Sequence, residues 1–100
     1  MTAKWLNKVL DIGVVREHKK LNLAFVATPL IPEITNVIAG CGCTDCDYDP
    51  KTRLLNVVFK AGNIPTHILE DEQPFTKMIT VVYKDSTTEE LFIKGTKIRT

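Results

Sequence analysis

The sequence predicts an all-β protein, folded as a two-sheet antiparallel sandwich of about six to eight strands. Three observations predict it. Apolar and polar residues alternate with a period of two along most of the chain. Breaks carrying Pro, Gly and Asp recur about every eight to twelve residues, the spacing of sandwich turns. Helical periodicity is confined to one short candidate near the N-terminus.

That candidate is Thr2 to Leu10, where Trp5, Leu6 and Val9 could share one apolar stripe. The alternative for residues 1–8 is an arm or an extra edge strand. A first strand is expected from about Val9 to Val15, closed by the charged "REHKK". "KLNLAFVA" sets Leu21, Leu23 and Phe25 on one face and Asn22 and Ala24 on the other. In "TPLIP", Pro29 and Pro32 cannot donate to a ladder, so no central strand runs through them. "EITNVIA" is the next strand, and "GCGCTDC" follows it as a tight bend. "DYDPKT" is a turn, because Pro50 presets the backbone after Asp49. "RLLNVVFK" aligns Leu55, Val57 and Phe59. "AGNIP" and "LEDEQP" bound an aperiodic segment, Thr66 to Gln73. "FTKMITVVYK" places Phe75, Lys77, Ile79, Val81 and Tyr83 together, with Met78, Thr80 and Val82 opposite. "KDSTTE" is a hairpin loop leading into the last strand, "ELFIKGTKI".

One hundred residues make one domain, 1–100, able to bury a modest core unaided. The chain is 44% hydrophobic and 25% charged, an ordinary soluble balance. Thirteen basic and twelve acidic side chains leave a net charge of +1, and the basic residues are scattered. Such a surface sets up no field that recruits nucleic acid or an anionic membrane, so neither is expected as a partner. Lys4, Asn7, Lys8 and Asp11 interrupt the N-terminal stretch and argue against a secretory signal, which places synthesis in the cytoplasm. Thiols stay mostly reduced there.

All three cysteines lie between Cys41 and Cys46, and three readings of them stand open. In the first, Gly40 and Gly42 permit a close backbone approach and the sulfurs fill a strand-end bend as small apolar groups. In the second, Cys41, Cys43 and Cys46 offer three thiolates to zinc. A structural zinc site takes four ligands, and the candidates for the fourth are His18, His67, Asp45 and Asp47, none at a recognised spacing. In the third, one pair closes a disulfide and the remaining cysteine bonds a neighbouring chain. Catalytic thiol exchange is disfavoured, since Cys43-x-x-Cys46 lacks a helix N-terminus and Asp45 and Asp47 raise a thiol's pKa. The acidic run Glu70, Asp71 and Glu72 reads as solvated surface. No Ser/His/Asp arrangement or phosphate-cradling loop appears in the sequence, and no enzyme is expected.

The order "DIGVVREHKKLNLAFVA", "IPEITNVIAGCGCT", "LNVVFKAGNIP" and "KMITVVYKDSTTEELFIKGT" resembles an uncharacterised family of bacterial and phage immunoglobulin-like domains. These domains are related to hydin and major-sperm-protein-like modules and carry a Cys-Gly-Cys-Thr signature, matched here by Cys41, Gly42, Cys43 and Thr44. Ile12, Gly13 and Val14 match the opening strand, and Phe25 the end of the next. The similarity spans about Leu10 to Ile98. Cys46 lies outside the signature, and the "TPLIP" loop is shorter than the family's. The resemblance implies an immunoglobulin-like sandwich and a structural or binding role. It also implies partners that are other protein subunits, virion proteins or further copies of this chain, with location in a phage particle. Trp5 is a candidate contact residue; the alternative is that it caps one end of its own core. A metal-binding or redox-responsive domain using Cys41, Cys43 and Cys46 is the second functional expectation.

Overall fold

The computed structural model describes residues 4–40, 44–67 and 69–99. Seven strands run in order as β1 (Val9–Arg16), β2 (Lys20–Val26), β3 (Ile34–Ala39), β4 (Thr44–Asp49), β5 (Leu54–Lys60), β6 (Glu72–Tyr83) and β7 (Thr88–Ile98). They form a four-stranded sheet, β1-β7-β6-β3, facing a three-stranded sheet, β2-β5-β4. Sequence neighbours β2 and β3 lie in different sheets, as do β3 and β4, which gives the immunoglobulin-like crossing of a two-sheet sandwich. Four of the five strand pairings among the described residues are antiparallel; β1 lies parallel to β7.

Alternation decides which face of each strand is buried. Phe25, Leu55 and Val57 of one sheet meet Ile79, Val81, Tyr83, Leu91 and Ile93 of the other, all essentially inaccessible to solvent. Burying a side chain of this kind stabilises the fold by roughly 1.5–3 kcal/mol, so shifting any of these strands by one residue would expose its whole apolar set. A second, smaller cluster, Val15, Phe59 and Ala61, continues the core toward the far end of the β6–β7 hairpin. Phe75 stacks on Phe59 there, with ring centres 5.2 Å apart.

Two elements differ from a helix-and-bend reading. Residues 4–8 form no helix and take the other expectation, an extra edge strand. Trp5 makes an isolated antiparallel bridge with Ala27, the Leu6 amide donates to the Val26 carbonyl and the Thr28 amide to the Lys4 carbonyl. Trp5 is 3% exposed while Leu6 is 71% exposed, an alternation that belongs to a strand and not to a helical stripe. The second difference is β4, where "TDCDYD" is a strand and not the continuation of a bend into a turn. Its alternation is complete: Thr44 is buried, Cys46 and Tyr48 are half-buried, and Asp45 and Asp47 are exposed. Aspartate is depleted in strands, and three of them hid the period.

Proline placement follows from the sheet order. Pro74 sits inside β6, opposite Thr96 of β7, but β3 covers β6 only from Ile79 onward. That part of β6 is therefore an edge, where a missing N–H leaves no ladder bond unmade. Glycine is required at the β1 bulge. Gly13 has φ +69°, and a Cβ on the facing Gly95 would lie 2.7 Å from the Gly13 carbonyl oxygen.

The N-terminal segment is fixed by a polar chain at one end of the core. The Trp5 indole N–H donates to the Tyr83 hydroxyl at 2.9 Å, and that hydroxyl donates to Glu89 Oε1 at 2.6 Å. Glu89 Oε2 lies 3.0 Å from Lys8 Nζ, and Lys4 Nζ stands 4.7 Å from the centre of the Tyr83 ring. Burial, followed by the Glu89 hydrogen bond, pushes the Tyr83 phenol well above its ordinary value. Burial opposes ionisation of Glu89, but the Tyr83 hydroxyl and the Lys8 ammonium outweigh it and hold the carboxyl below its ordinary 4.5. A carboxyl lowered in the folded state stabilises the fold above its unfolded value, and the contribution disappears as pH falls through the lowered one. Glu89→Gln should therefore cost about 1–2 kcal/mol at pH 7, with the difference from the parent chain shrinking as pH falls below the ordinary carboxyl value and closing once it has passed the lowered one. Urea unfolding across that pH range measures it; a difference independent of pH would contradict the assignment.

Candidate functional site

Each sheet ends in two edge strands, and the two sides of the sandwich treat them differently. On one side, residues 4–8 bridge from the end of β2 to β1, with the Phe92 amide of β7 donating to the Lys8 carbonyl. On the other side, β3 and β4 are both edges, and among the described residues no strand pairs with their outer rims. An open groove of about 580 Å³ lies between them.

The groove is built from two loops that the sequence makes stiff. On the β3 side, the Leu30 amide donates to Thr28 Oγ1 and the Ile31 amide to the Thr28 carbonyl. This turn presents Pro29, Ile31 and Pro32 to the groove. On the β4 side, the Asp49 carboxylate accepts from the Lys51 amide at 2.9 Å and the Asp49 carbonyl accepts from the Arg53 amide at 2.8 Å. Arg53 takes φ +59° to close that turn, and its carbonyl accepts from the Ala27 amide. Ile34, Val37 and Tyr48 form the apolar floor, each half-buried and packed against the core. Tyr48 stands edge-on to Trp5, ring centres 6.3 Å apart. Burial raises the Tyr48 phenol, with Arg53 opposing it, so the hydroxyl remains a neutral donor at physiological pH.

The rims carry devices that limit unwanted strand pairing. A bulge interrupts β3 between Ile34 and Asn36, with Thr35 Oγ1 donating to the Val82 carbonyl and Asn36 Oδ1 accepting from the Val37 amide. On β4, Asp45 and Asp47 project two residues apart from the outer face, and neither forms an ion pair among the described residues.

The sequence-predicted residues fall as follows. Cys41, Gly42 and Cys43 lie outside the described residues. Thr44 is buried as the first residue of β4, opposite Phe59. Cys46 is half-buried, opposite Val57, and packs against the main core cluster. Its thiol is pushed up first by burial and then by Asp45, which works against a thiolate at neutral pH. Asp45 and Asp47 point to the opposite face of β4 from Cys46, so they do not converge with it on one ion. Among the described residues no group of three or more His, Cys, Asp or Glu side chains is placed to hold a metal. Gly40 has a packing reason: a Cβ there would sit 2.7 Å from the Met78 carbonyl oxygen, which accepts from the Gly40 amide. Trp5 does not present a contact surface; its ring is in the core, the arrangement in which it caps one end of that core. In the acidic run, Asp71 is an exposed partner of Arg99 at 3.5 Å.

The groove residues were not singled out from the sequence. The one readable signal was the alternation in "TDCDYD", which would have turned Tyr48 toward the floor and the aspartates outward.

In a chain carrying Cys41→Ser and Cys43→Ser, Cys46 should alkylate about tenfold more slowly at pH 8 than in the urea-unfolded chain. Equal rates, followed by mass spectrometry of the carbamidomethyl adduct, would contradict its inward placement. No protein-family model, curated protein or solved structure matches the chain.

Proposed function

We propose that the chain is a non-catalytic assembly module of a phage particle, a decoration, neck or tail component that acts by docking an extended segment of another subunit at the β3–β4 side. The carrying observation is the groove itself, an apolar floor lying between two free strand rims. An added strand gains main-chain hydrogen bonds from a rim and places alternate side chains in the groove and outside it. The inward side chains meet Val37 and Tyr48, so they are apolar. The outward ones meet Asp45 and Asp47, so they are basic, since opposite charges facing across a strand pair contribute about 0.2–1 kcal/mol each. The same aspartates disfavour pairing of β4 with the β4 of a second copy, which selects a different protein as the partner. The assignment to a phage particle rests on the family resemblance carried by Cys41-Gly42-Cys43-Thr44.

Particles banded from an infected lysate should contain the chain. The exposed double substitution Asp45→Lys with Asp47→Lys should leave the circular dichroism spectrum intact and lower incorporation about tenfold. Recovery of the parent chain wholly in the free-protein fraction would contradict the proposal.

A further inference from the structure

The outer face of the four-stranded sheet carries a row of apolar side chains that the groove does not involve. Register sets Val9 of β1 beside Phe92 of β7, and Phe92 beside Met78 of β6. Their neighbours Leu10, Ile93, Leu91 and Ile79 point into the core, so these three point out. Val9 is 48% and Met78 42% exposed. On β7, Glu90 precedes Phe92 by two residues and Lys94 follows it by two. Both share the outer face, both are exposed, and neither forms an ion pair among the described residues.

We infer that this face is the interface of a homodimer, with a two-fold axis running along the Val9–Phe92–Met78 row. Such an axis lays a second copy's face on the first with β7 antiparallel to its counterpart. It brings each of the three apolar residues over its own copy and each Glu90 over the second copy's Lys94. One row further out, register places Thr76 beside Lys94 and Thr80 beside Glu90, so the axis sets Thr76 over Thr80. At the ends it sets Pro74 over Val82, apolar on apolar. Asp11, beside Lys94, faces the second copy beyond the start of β1, ahead of Val9. No like charges are brought face to face. This is the self-complementarity an isologous contact demands.

The area suits a real but modest dimer. Four strands at about 4.8 Å spacing and nine residues of β7 at about 3.4 Å rise give a face of about 590 Å² per copy. The total of about 1,200 Å² lies at the low end of the range for a specific interface. The face is separate from the β3–β4 groove, so failure of either proposal leaves the other standing.

Sedimentation equilibrium of the full chain up to about 100 μM tests it. The parent chain should dimerise. Met78→Lys should be monomeric with an unchanged circular dichroism spectrum. Glu90→Lys alone sets two lysines against each other at both ends and should raise the dimer Kd at least about tenfold. Glu90→Lys with Lys94→Glu restores opposite charges and should return the Kd to within about threefold of the parent. A monomeric parent chain, a dimer indifferent to Met78→Lys, or a charge-swapped double variant no tighter than the single one would each overturn the inference.

Discussion

A β-sheet must end somewhere, and this constraint organises the molecule more than any single contact. Two sheets bury each other's inner faces through Phe25, Leu55 and Val57 against Ile79, Val81, Tyr83, Leu91 and Ile93. That burial supplies most of the driving force, yet among the described residues it leaves four edge strands, each with one rim that no further strand of its sheet pairs. On one side the chain solves the problem with its own N-terminal segment, which reaches from Ala27 to Phe92 and carries Trp5 into the core. On the other side β3 and β4 remain open, separated by a groove with an apolar floor.

The closed side shows what closing costs in polar chemistry. Trp5 and Tyr83 bring an N–H and an O–H into a dry place, and each needs a partner. The indole is satisfied by the phenol, the phenol by Glu89, and Glu89 by Lys8 at the surface. Among the described residues no buried side-chain polar atom lacks a partner. The rims of the open side are held by turn chemistry at Thr28 and Asp49 and guarded by a bulge and two aspartates.

The parts legible in the sequence were those where local pattern and burial agree. β2, β5, β6 and β7 alternate strongly, and the residues the period assigns inward on β5 and the distal half of β6 are buried. The N-terminal segment stays open between helix and edge strand in the sequence because Trp5, Leu6 and Val9 fit a helical stripe on spacing alone; only the exposure of Leu6 separates the two periods, and exposure comes from the tertiary fold. β4 was hidden by composition, since Asp at every second position reads as turn. The parallel pairing of β1 with β7 has no local signature at all, because it is fixed by a crossing between sheets. The groove is illegible for the same reason: Pro29 to Val37 and Tyr48 to Arg53 meet only after β3 and β4 have gone to different sheets. The close approach that glycine permits at position 40 is its contact with the Met78 carbonyl.

Residue-resolved amide exchange on the isolated chain tests the central claim most directly. A free rim leaves every second amide of an edge strand pointing at solvent while the intervening ones are bonded to the neighbouring strand. Along Thr44–Asp49 and Ile34–Ala39 protection should therefore alternate, whereas in β5 and in β6 from Ile79 to Tyr83 it should be continuous. Uniform protection along β3 and β4 would mean the side is covered, and uniformly fast exchange along β4 would mean that it is no strand; either result would contradict the account.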